Sequence, residues 1–219
     1  MNIHLRHLAI LVLLSLCIAG CNFLAIGGAV LPPPNIEAAY KGILGQPVAI
    51  MVWADRAVRI DYPSMQIDSA TAMQTKFTTM IKSEKVRDLT GTTFPYQPAS
   101  VARWQRDHPE VEGSPVQEFA ARLGGITRLI YVEIHGFQTR SDASLELYHG
   151  NITGSLKVIE IADGKSKVVF EENDIHAVYP PKSPPEGVLN SNDYAIYLGT
   201  VDRFANQIVN RFVEHEPEE

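Results

Sequence analysis

Histidine and glutamate residues are the first candidates in this chain for a chemical role. Four of them fall in segments that alternate like strands and that a folded sheet could bring together: Glu133, His135, His149 and His176. Neutral imidazoles combined with a carboxylate are ligands that bind zinc. The alternative, which we favour, is that these histidines lie on a solvated strand face. Because no two histidines after residue 20 have the spacing of a helical metal pair, the zinc site is only a hypothesis.

Two groups of carboxylates suggest other chemistry. Glu171, Glu172 and Asp174 could offer hard oxygen ligands to calcium, although an acidic strand end exposed to water explains them better. Asp55 and Asp61 follow the first predicted strand and could serve acid–base catalysis, but the sequence identifies no pocket or partner for them. The chain after residue 20 contains no Gly-rich phosphate loop, nucleophile elbow, His-Glu-x-x-His or Cys-x-x-Cys motif. We therefore predict a protein without a catalytic site and without a cofactor.

Two aromatic residues near proline-rich loops are candidates for binding. Tyr96 and Trp104 could form a surface for a protein partner, and packing in the core is the alternative that we favour. Trp53 ends an apolar run and is predicted to be a core residue.

The amino-terminal segment carries the most specific motif. Leu8–Leu16 is a nearly unbroken apolar run that follows Arg6. It is too short to cross a bilayer, which takes about 20 apolar residues, and its charged start and small-residue exit are typical of a signal peptide. Ile18-Ala19-Gly20 then precedes Cys21, and this sequence resembles the lipobox of bacterial lipoproteins. An ordinary signal peptide with a cysteine nearby, or an uncleaved signal anchor, are the alternatives.

The lipobox resemblance implies a location. Residues 1–20 are removed, the thiol of Cys21 receives a diacylglyceryl group, and the freed amine can be acylated, for example by palmitate. Two or three acyl chains are enough for stable membrane anchoring, whereas one chain is marginal. Asn22 stands where lipoproteins of double-membraned bacteria carry Asp for retention at the inner membrane. The resemblance therefore implies a protein on the outer membrane that faces the periplasm.

Charge and cysteine content narrow the possible partners. The 219 residues carry a net charge of −6, and loss of residues 1–20 removes only one base, Arg6, to leave −7. An acidic chain without a basic stripe argues against nucleic acid as a partner and against binding to anionic lipid through a polybasic segment.

Cys17 and Cys21 are the only cysteines of the chain. We expect the first to be removed with the signal peptide and the second to be modified. The mature chain would thus form no internal disulfide, and its stability must come from the core.

Hydrophobic periodicity predicts the elements that must position these residues. Val48–Trp53 is a continuous apolar run typical of a central strand buried on both faces, so the loop 54–67 lies at its carboxyl end, where open α/β sheets bind ligands. Asp68 is predicted to cap a helix, and Glu84–Leu89 to form a short strand. Two short helices are predicted next, one beginning at Val101 and ended by His108-Pro109, the other from Pro115 to Gly124-Gly125.

The second half of the chain reads as strands followed by a helix. Leu129–Phe137 and Leu145–Ile161 are predicted strands, the second bent at Gly150 or Gly154. Asp163-Gly164 indicates a tight hairpin that returns through Val168–Phe170 and on towards Ile175–Tyr179. After a long loop, 182–192, a carboxyl-terminal amphipathic helix presents one apolar face: Tyr197, Val201, Phe204, Ala205, Ile208 and Phe212.

These elements predict one α/β (α+β) domain with a mixed sheet, a long antiparallel hairpin and packed helices. We divide the chain into signal peptide 1–20, lipidated end and Pro-containing tether 21–46, domain 47–215 and acidic tail 216–219. Residues 22–46 either form a free spacer or pack partly on the domain through Tyr40 and Ile43-Leu44.

Two segments carry a further resemblance. The strand opening 45–52 and the hairpin 154–165 look like those of periplasmic lipoproteins whose domains are similar to the TolB amino-terminal domain and the curli-secretion lipoprotein. The resemblance implies envelope assembly or protein binding and transfers no catalytic residue. A non-catalytic lipoprotein that binds an envelope protein is therefore our first hypothesis. A periplasmic hydrolase or metal-dependent enzyme that uses loops 54–67 and 180–193 is the second, and a homo-oligomeric assembly is the third.

Overall fold

The computed structural model of the chain describes residues 34–83, 86–141 and 144–217. The predicted signal peptide, Cys21 and most of the predicted tether lie outside these residues. The domain is a compact unit over Glu37–His215, and the described residues 34–36 and 216–217 fall outside that unit.

Four strands form one mixed sheet, as the sequence predicts. The strands are β1 (Val48–Ala54), β2 (Arg128–Ser141), β3 (Ser144–Ala162) and β4 (Lys165–Tyr179), and they lie side by side in that order. β1 runs parallel to β2, whereas β2, β3 and β4 are antiparallel neighbours. The fold class predicted from the sequence is confirmed.

The helices occupy the connections and the carboxyl terminus. They are α1 (Arg56–Asp61), α2 (Met65–Ser83), α3 (Pro98–Asp107), α4 (Val116–Phe119) and α5 (Asp193–Val209). Single 3-10 turns follow at Arg87–Leu89, Pro109–Val111, Ala120–Leu123 and Asn210–Phe212. The predicted carboxyl-terminal helix is confirmed, and Asn192 caps it by accepting a bond from the backbone N–H of Ala195 at 2.9 Å.

One face of the sheet, called the covered face here, is packed along all four strands by α2 and α5. Alternate strand residues such as Ile50, Val132, Val158 and Ile175 are buried on it. They meet fully buried side chains of the two helices, which include Phe77 and Phe204, as the 3.6-residue periodicity predicts.

The opposite face, called the open face here, is covered only in part. Met51, Leu129 and Ile159 form a second apolar cluster there with residues of α3, α4 and the following 3-10 turn. Beyond this cluster the open face is polar, and His135 and His176 on it are exposed. An antiparallel sheet commonly leaves one face in water in this way.

β1 lies at the edge of the sheet, not at its centre as predicted. Its apolar run is buried because helices cover both of its faces. Its free edge is covered by side-chain amides, since Gln66 Nε2 and Gln105 Nε2 both donate to the Val52 carbonyl, at 2.7 and 3.0 Å. A strand buried on both faces is therefore not necessarily a central one.

Three local predictions are wrong. Residues 54–67 are not a loop, because α1 and the start of α2 occupy them and only the segment around Pro63 breaks the helix. Asp68 lies in the first turn of α2 and does not cap it; its carboxylate accepts a bond from Tyr197 Oη at 2.7 Å. The described part of 84–89 contains a 3-10 turn and no strand, with Leu89 fully buried.

The predicted hairpin is confirmed, and the sheet is irregular beside Gly154, one of the two predicted bend positions. Asp163 and Gly164 both have positive φ, 52° and 71°, as a two-residue turn that matches the strand twist requires. The β2–β3 and β3–β4 registers both shift beside Gly154. Bulges are where strands typically bend, so these shifts stand at a predicted bend position.

Part of the predicted tether packs on the domain. Tyr40 contacts Phe170 and Phe212, with ring centroids 5.6 and 6.1 Å away, and its backbone N–H donates to the Arg211 carbonyl at 2.8 Å. Ile43 is fully buried. Of the two alternatives for residues 22–46, packing therefore applies to the part that follows Ile36.

Candidate functional site

A cleft opens at the carboxyl end of β1. Its volume is about 540 Å³. Three parts of the chain line it: the β1–α1 junction, the segment before α4, and polar residues of β2 and β3. Ligands of open α/β sheets bind at this end of parallel strands, so the position agrees with the expectation from the sequence.

A second cavity of about 330 Å³ adjoins the first. Both are lined by Trp53, Arg59 and Glu112, which therefore form their common wall. The second cavity continues between α2 and α3, past Gln66 and Gln105. The cleft is thus one groove that these three side chains divide.

An ion pair spans this wall. Arg59 Nη2 donates to Glu112 Oε1, and the Arg59 guanidinium carbon lies 5.8 Å from the centroid of the Trp53 ring. α1 positions Arg59 one turn after the end of β1, where the Arg59 backbone N–H donates to the Asp55 carbonyl at 3.0 Å. Glu112 is held by the preceding 3-10 turn, which is anchored by buried Val111.

Two N–H donors at this wall have no acceptor among the described residues. They are Trp53 Nε1 and Arg59 Nε, and both atoms are buried. Almost all buried polar groups in proteins form a hydrogen bond, and an unpaired one costs about 1–3 kcal/mol. These two donors are therefore a feature that local packing leaves unexplained.

A polar network forms the floor of the cleft on the open face. Glu133 accepts bonds from Tyr131 Oη at 3.2 Å and from Ser155 Oγ at 3.4 Å, and Lys157 Nζ lies 3.4 Å from its second oxygen. Burial, reinforced by the charge of Glu133 and by the bond to it, raises the pKa of Tyr131 far above its ordinary value. Tyr131 is therefore a neutral donor at physiological pH.

The cleft combines cations and carboxylates that are mostly engaged with each other. Arg59 pairs with Glu112, and Lys157 lies between Glu133 and Glu171. Arg56, at the rim, is exposed and forms no ion pair with any residue in the described ranges. Such a surface can recognise charged and hydrogen-bonding groups of a ligand.

The histidines proposed as zinc ligands lie apart. His135 Nε2 lies 3.3 Å from Ser155 Oγ, and His176 Nε2 lies 2.8 Å from Asn151 Oδ1. Across residues 34–83, 86–141 and 144–217, no three His, Cys, Asp or Glu side chains are placed to hold a metal ion. The strands do come together, but strand alternation and the shift of register direct these side chains to different partners.

The proposed calcium ligands are separated for the same reason. Glu171 faces Lys157 on the open face, with 3.7 Å between Oε1 and Nζ, whereas Glu172 accepts bonds from Arg211 at 2.7–3.0 Å. Neighbouring strand residues point to opposite faces. Glu171 and Glu172 therefore cannot bind one ion together.

The two aspartates proposed for acid–base chemistry lie at opposite ends of α1. Asp55 lines the main cleft, whereas Asp61 lines a separate cavity of about 400 Å³ with Tyr62, Ser64 and Asp193. Asp193 there accepts two bonds from Arg140, at 2.5 and 2.8 Å. The two predicted enzyme loops thus meet at this smaller cavity, and none of residues 180–193 lines the main cleft.

Tyr96 and Trp104 are half-buried against the second apolar cluster. Tyr96 Oη donates to the Leu123 carbonyl at 2.7 Å, and Trp104 stacks on His108 with 4.3 Å between ring centroids. This packing agrees with the core alternative. Cys21, the predicted lipidation site, lies outside the described residues.

Sequence reasoning missed most of the cleft. Arg59 and Glu112 are 53 residues apart, and Tyr131, Glu133 and Lys157 belong to two different strands. The one available signal was the carboxyl end of the first apolar run. Because the segment before α4 reaches the cleft only by tertiary packing, no local pattern identifies Glu112.

No protein-family model matches the chain, and no curated protein matches it. Among solved structures it overlaps with lipoprotein GNA1162 from Neisseria meningitidis, at 12% identity and a TM-score of 0.38, over 74% of this chain and 96% of that one. Hypothetical protein CT253 from Chlamydia trachomatis overlaps at 14% identity and a TM-score of 0.34, with the same coverage. Overlaps this loose carry no argument about function, and the TolB-like resemblance stays a prediction.

Among the residues that the structure describes, no helix has the length and apolar character needed to cross a bilayer.

Proposed function

We propose that this chain is a lipid-anchored bacterial envelope protein whose periplasmic domain binds another envelope component without catalysing a reaction. The cleft at the carboxyl end of β1 is the binding site. The observation that supports binding over catalysis is the pairing of its charged groups. Glu112 is engaged with Arg59, and Glu133 with Lys157 and Tyr131, so the cleft presents a mixed-charge surface for recognition.

Chain length limits where the partner lies. Cys21 precedes the first residue of the compact unit, Glu37, by 16 positions. An extended chain spans about 3.3 Å per residue, so Glu37, where the compact unit begins, stays within roughly 50 Å of an anchored Cys21. Tethering raises the effective concentration of the domain near partners within that distance. A low affinity of the cleft for its partner is therefore sufficient for function.

The anchor is tested by fractionation of cells that express single cysteine variants. Cys21→Ala removes the acyl acceptor, so the protein moves to the soluble fraction. Cys17→Ala is the matched control and leaves the protein with the membranes, with a native mass that includes the lipid. Membrane association of Cys21→Ala, or an unmodified native Cys21, would falsify the anchoring.

The binding role is tested by photocrosslinking in cells. A photoreactive residue at Gln117, exposed in the cleft lining, is compared with one at Thr75, exposed on α2 on the covered side. We expect an envelope protein to be captured from position 117 alone. Equal capture from both positions, or none from 117, contradicts binding through the cleft.

The enzyme alternative has its own readout. A hydrolytic activity of the purified full-length protein that disappears in Asp61→Asn but persists in Glu112→Gln would favour catalysis at the smaller cavity. Activity that no cavity variant alters would argue for a contaminant.

A further inference from the structure

The wall between the two cavities is held by a weak contact. The side chains of Arg59 and Glu112 are 31% and 51% exposed. Solvent screens such a pair, and surface ion pairs contribute little to stability. The wall can therefore open at small cost, and opening it joins the two cavities into one groove.

The two unpaired donors belong to residues of this wall. Trp53 Nε1 and Arg59 Nε are both buried, and the Arg59 guanidinium lies over the Trp53 ring. A hydrogen-bond acceptor that reached this position would satisfy groups that the described protein leaves unsatisfied. A group that binds there gains affinity because it removes an existing desolvation penalty.

We infer that Arg59 and Trp53 form a binding site for a carboxylate group of a peptide, which displaces Glu112 from Arg59. Glu112 accepts a hydrogen bond from only one nitrogen of the guanidinium, Nη2. The Nε and Nη2 hydrogens lie on one edge of the group, where a carboxylate accepts two parallel bonds. The Trp53 indole N–H supplies a third donor, so the incoming carboxylate is bound better than Glu112 is.

The charges around the site favour a carboxylate over a phosphate. Asp55, Glu112 and Glu133 all line the main cleft. A phosphate group carries up to two negative charges and three oxygens, and would meet stronger repulsion from these carboxylates. Exposed Arg56 at the rim adds one cation, which suits a ligand with a single negative charge.

Peptide binding is measured on the full-length purified protein by NMR. Two tryptophans give two indole N–H signals, and Trp104→Phe assigns the signal of Trp53. The probes are an acetylated tetra-alanine peptide with a free terminal carboxylate, its amidated form, and an amidated form with one glutamate. We expect a carboxylate-bearing peptide to shift the Trp53 indole proton downfield and the amidated alanine peptide to leave it unchanged. The two carboxylate peptides distinguish a chain terminus from an acidic side chain.

Three variants and one matched control connect the shift to the proposed exchange. Glu112→Gln removes the competing carboxylate and should tighten peptide binding about threefold to tenfold. Arg59→Gln should weaken it about tenfold or more, and Arg59→Lys should recover little because it lacks the planar fork. Glu110→Gln is the matched control: it breaks the neighbouring exposed pair with Arg122, at 3.5 Å, and should leave binding unchanged.

Several results overturn the inference. They are the absence of a Trp53 shift with both carboxylate peptides, equal binding of the amidated alanine peptide, weaker binding in Glu112→Gln, or equal tightening in Glu110→Gln. The inference rests on the proposed function, because it uses the same cleft. Its failure is distinguishable, since anchoring at Cys21 and crosslinking from position 117 are independent of carboxylate binding.

Discussion

The two faces of the sheet are built from the same strands but have different roles. The covered face buries aliphatic and aromatic side chains against α2 and α5 along all four strands. The open face has a smaller apolar cluster near β1 and β2 and then becomes polar, with Glu133, Lys157 and the cleft beside it. Stability is therefore concentrated on one face, which leaves the other free to carry charged groups.

The largest expected difference between the faces concerns buried phenylalanines. Phe204→Ala on the covered face should lower the free energy of unfolding by about 3–5 kcal/mol, because closely packed neighbours cannot collapse into the cavity. Phe119→Ala, in the smaller cluster, should cost less, since residues next to solvent relax more easily.

Urea denaturation of both variants measures these losses. His135→Ala is the control: His135 is exposed on the open face, so the free energy of unfolding should change by no more than about 0.5 kcal/mol. A loss in Phe119→Ala that equals or exceeds that in Phe204→Ala would break the contrast between the faces.

Glycines give a second contrast. A Cβ at Gly150 would overlap the Thr200 side chain and crowd Ile196, so α5 packs directly on the backbone of β3. Gly150→Ala should destabilise the domain by about 1–3 kcal/mol through overpacking. At Gly136 an added Cβ would meet only the movable Thr153 hydroxyl, 3.1 Å away, so thermal denaturation of Gly136→Ala should show a loss below about 1 kcal/mol. Equal losses would show that close helix packing does not decide the effect.

Substitutions of the two glutamines at the edge of β1 are expected to have non-additive effects on stability. Gln66 and Gln105 both donate to the Val52 carbonyl, so either single change to Met leaves that oxygen with one partner. The double variant leaves it unpaired and should cost about 1–2 kcal/mol more than the sum of the single losses. A double-mutant cycle of urea midpoints measures this term, and strict additivity would contradict the shared role.

The smallest effect concerns pH. The bonds from Arg140 and Thr139 hold the pKa of Asp193 below its ordinary value of 3.8. Because the pKa is lower in the folded state, the stabilisation is present above the unfolded pKa and is lost as pH falls through the folded value. Asp193→Asn should therefore be less stable than the parent at about pH 6, and the difference should shrink steadily as the pH falls below the ordinary value of 3.8. A difference between the two proteins that persists unchanged in acid would exclude this linkage.

The elements with strong local patterns were predictable from the sequence. The apolar run of β1, the Asp163-Gly164 turn and the one-sided face of α5 depend on side-chain alternation, turn chemistry and helical period, which act over a few residues. The prediction of a loop over 54–67 was wrong. Pro63 is typical of a loop, and the six-residue helix before it has only one buried residue, Val58, so it gives no clear apolar periodicity.

By itself, the sequence determined the order and type of most elements and the acidic charge, and it predicted lipidation from a motif at Cys21 that resembles a lipobox. Tertiary structure alone decided that β1 is an edge strand, that the candidate metal ligands face different partners, and that Arg59 meets Glu112 over Trp53. The physical reason is range: periodicity and turn propensity act between neighbours, whereas a cleft depends on which distant segments pack together and which face each side chain then takes.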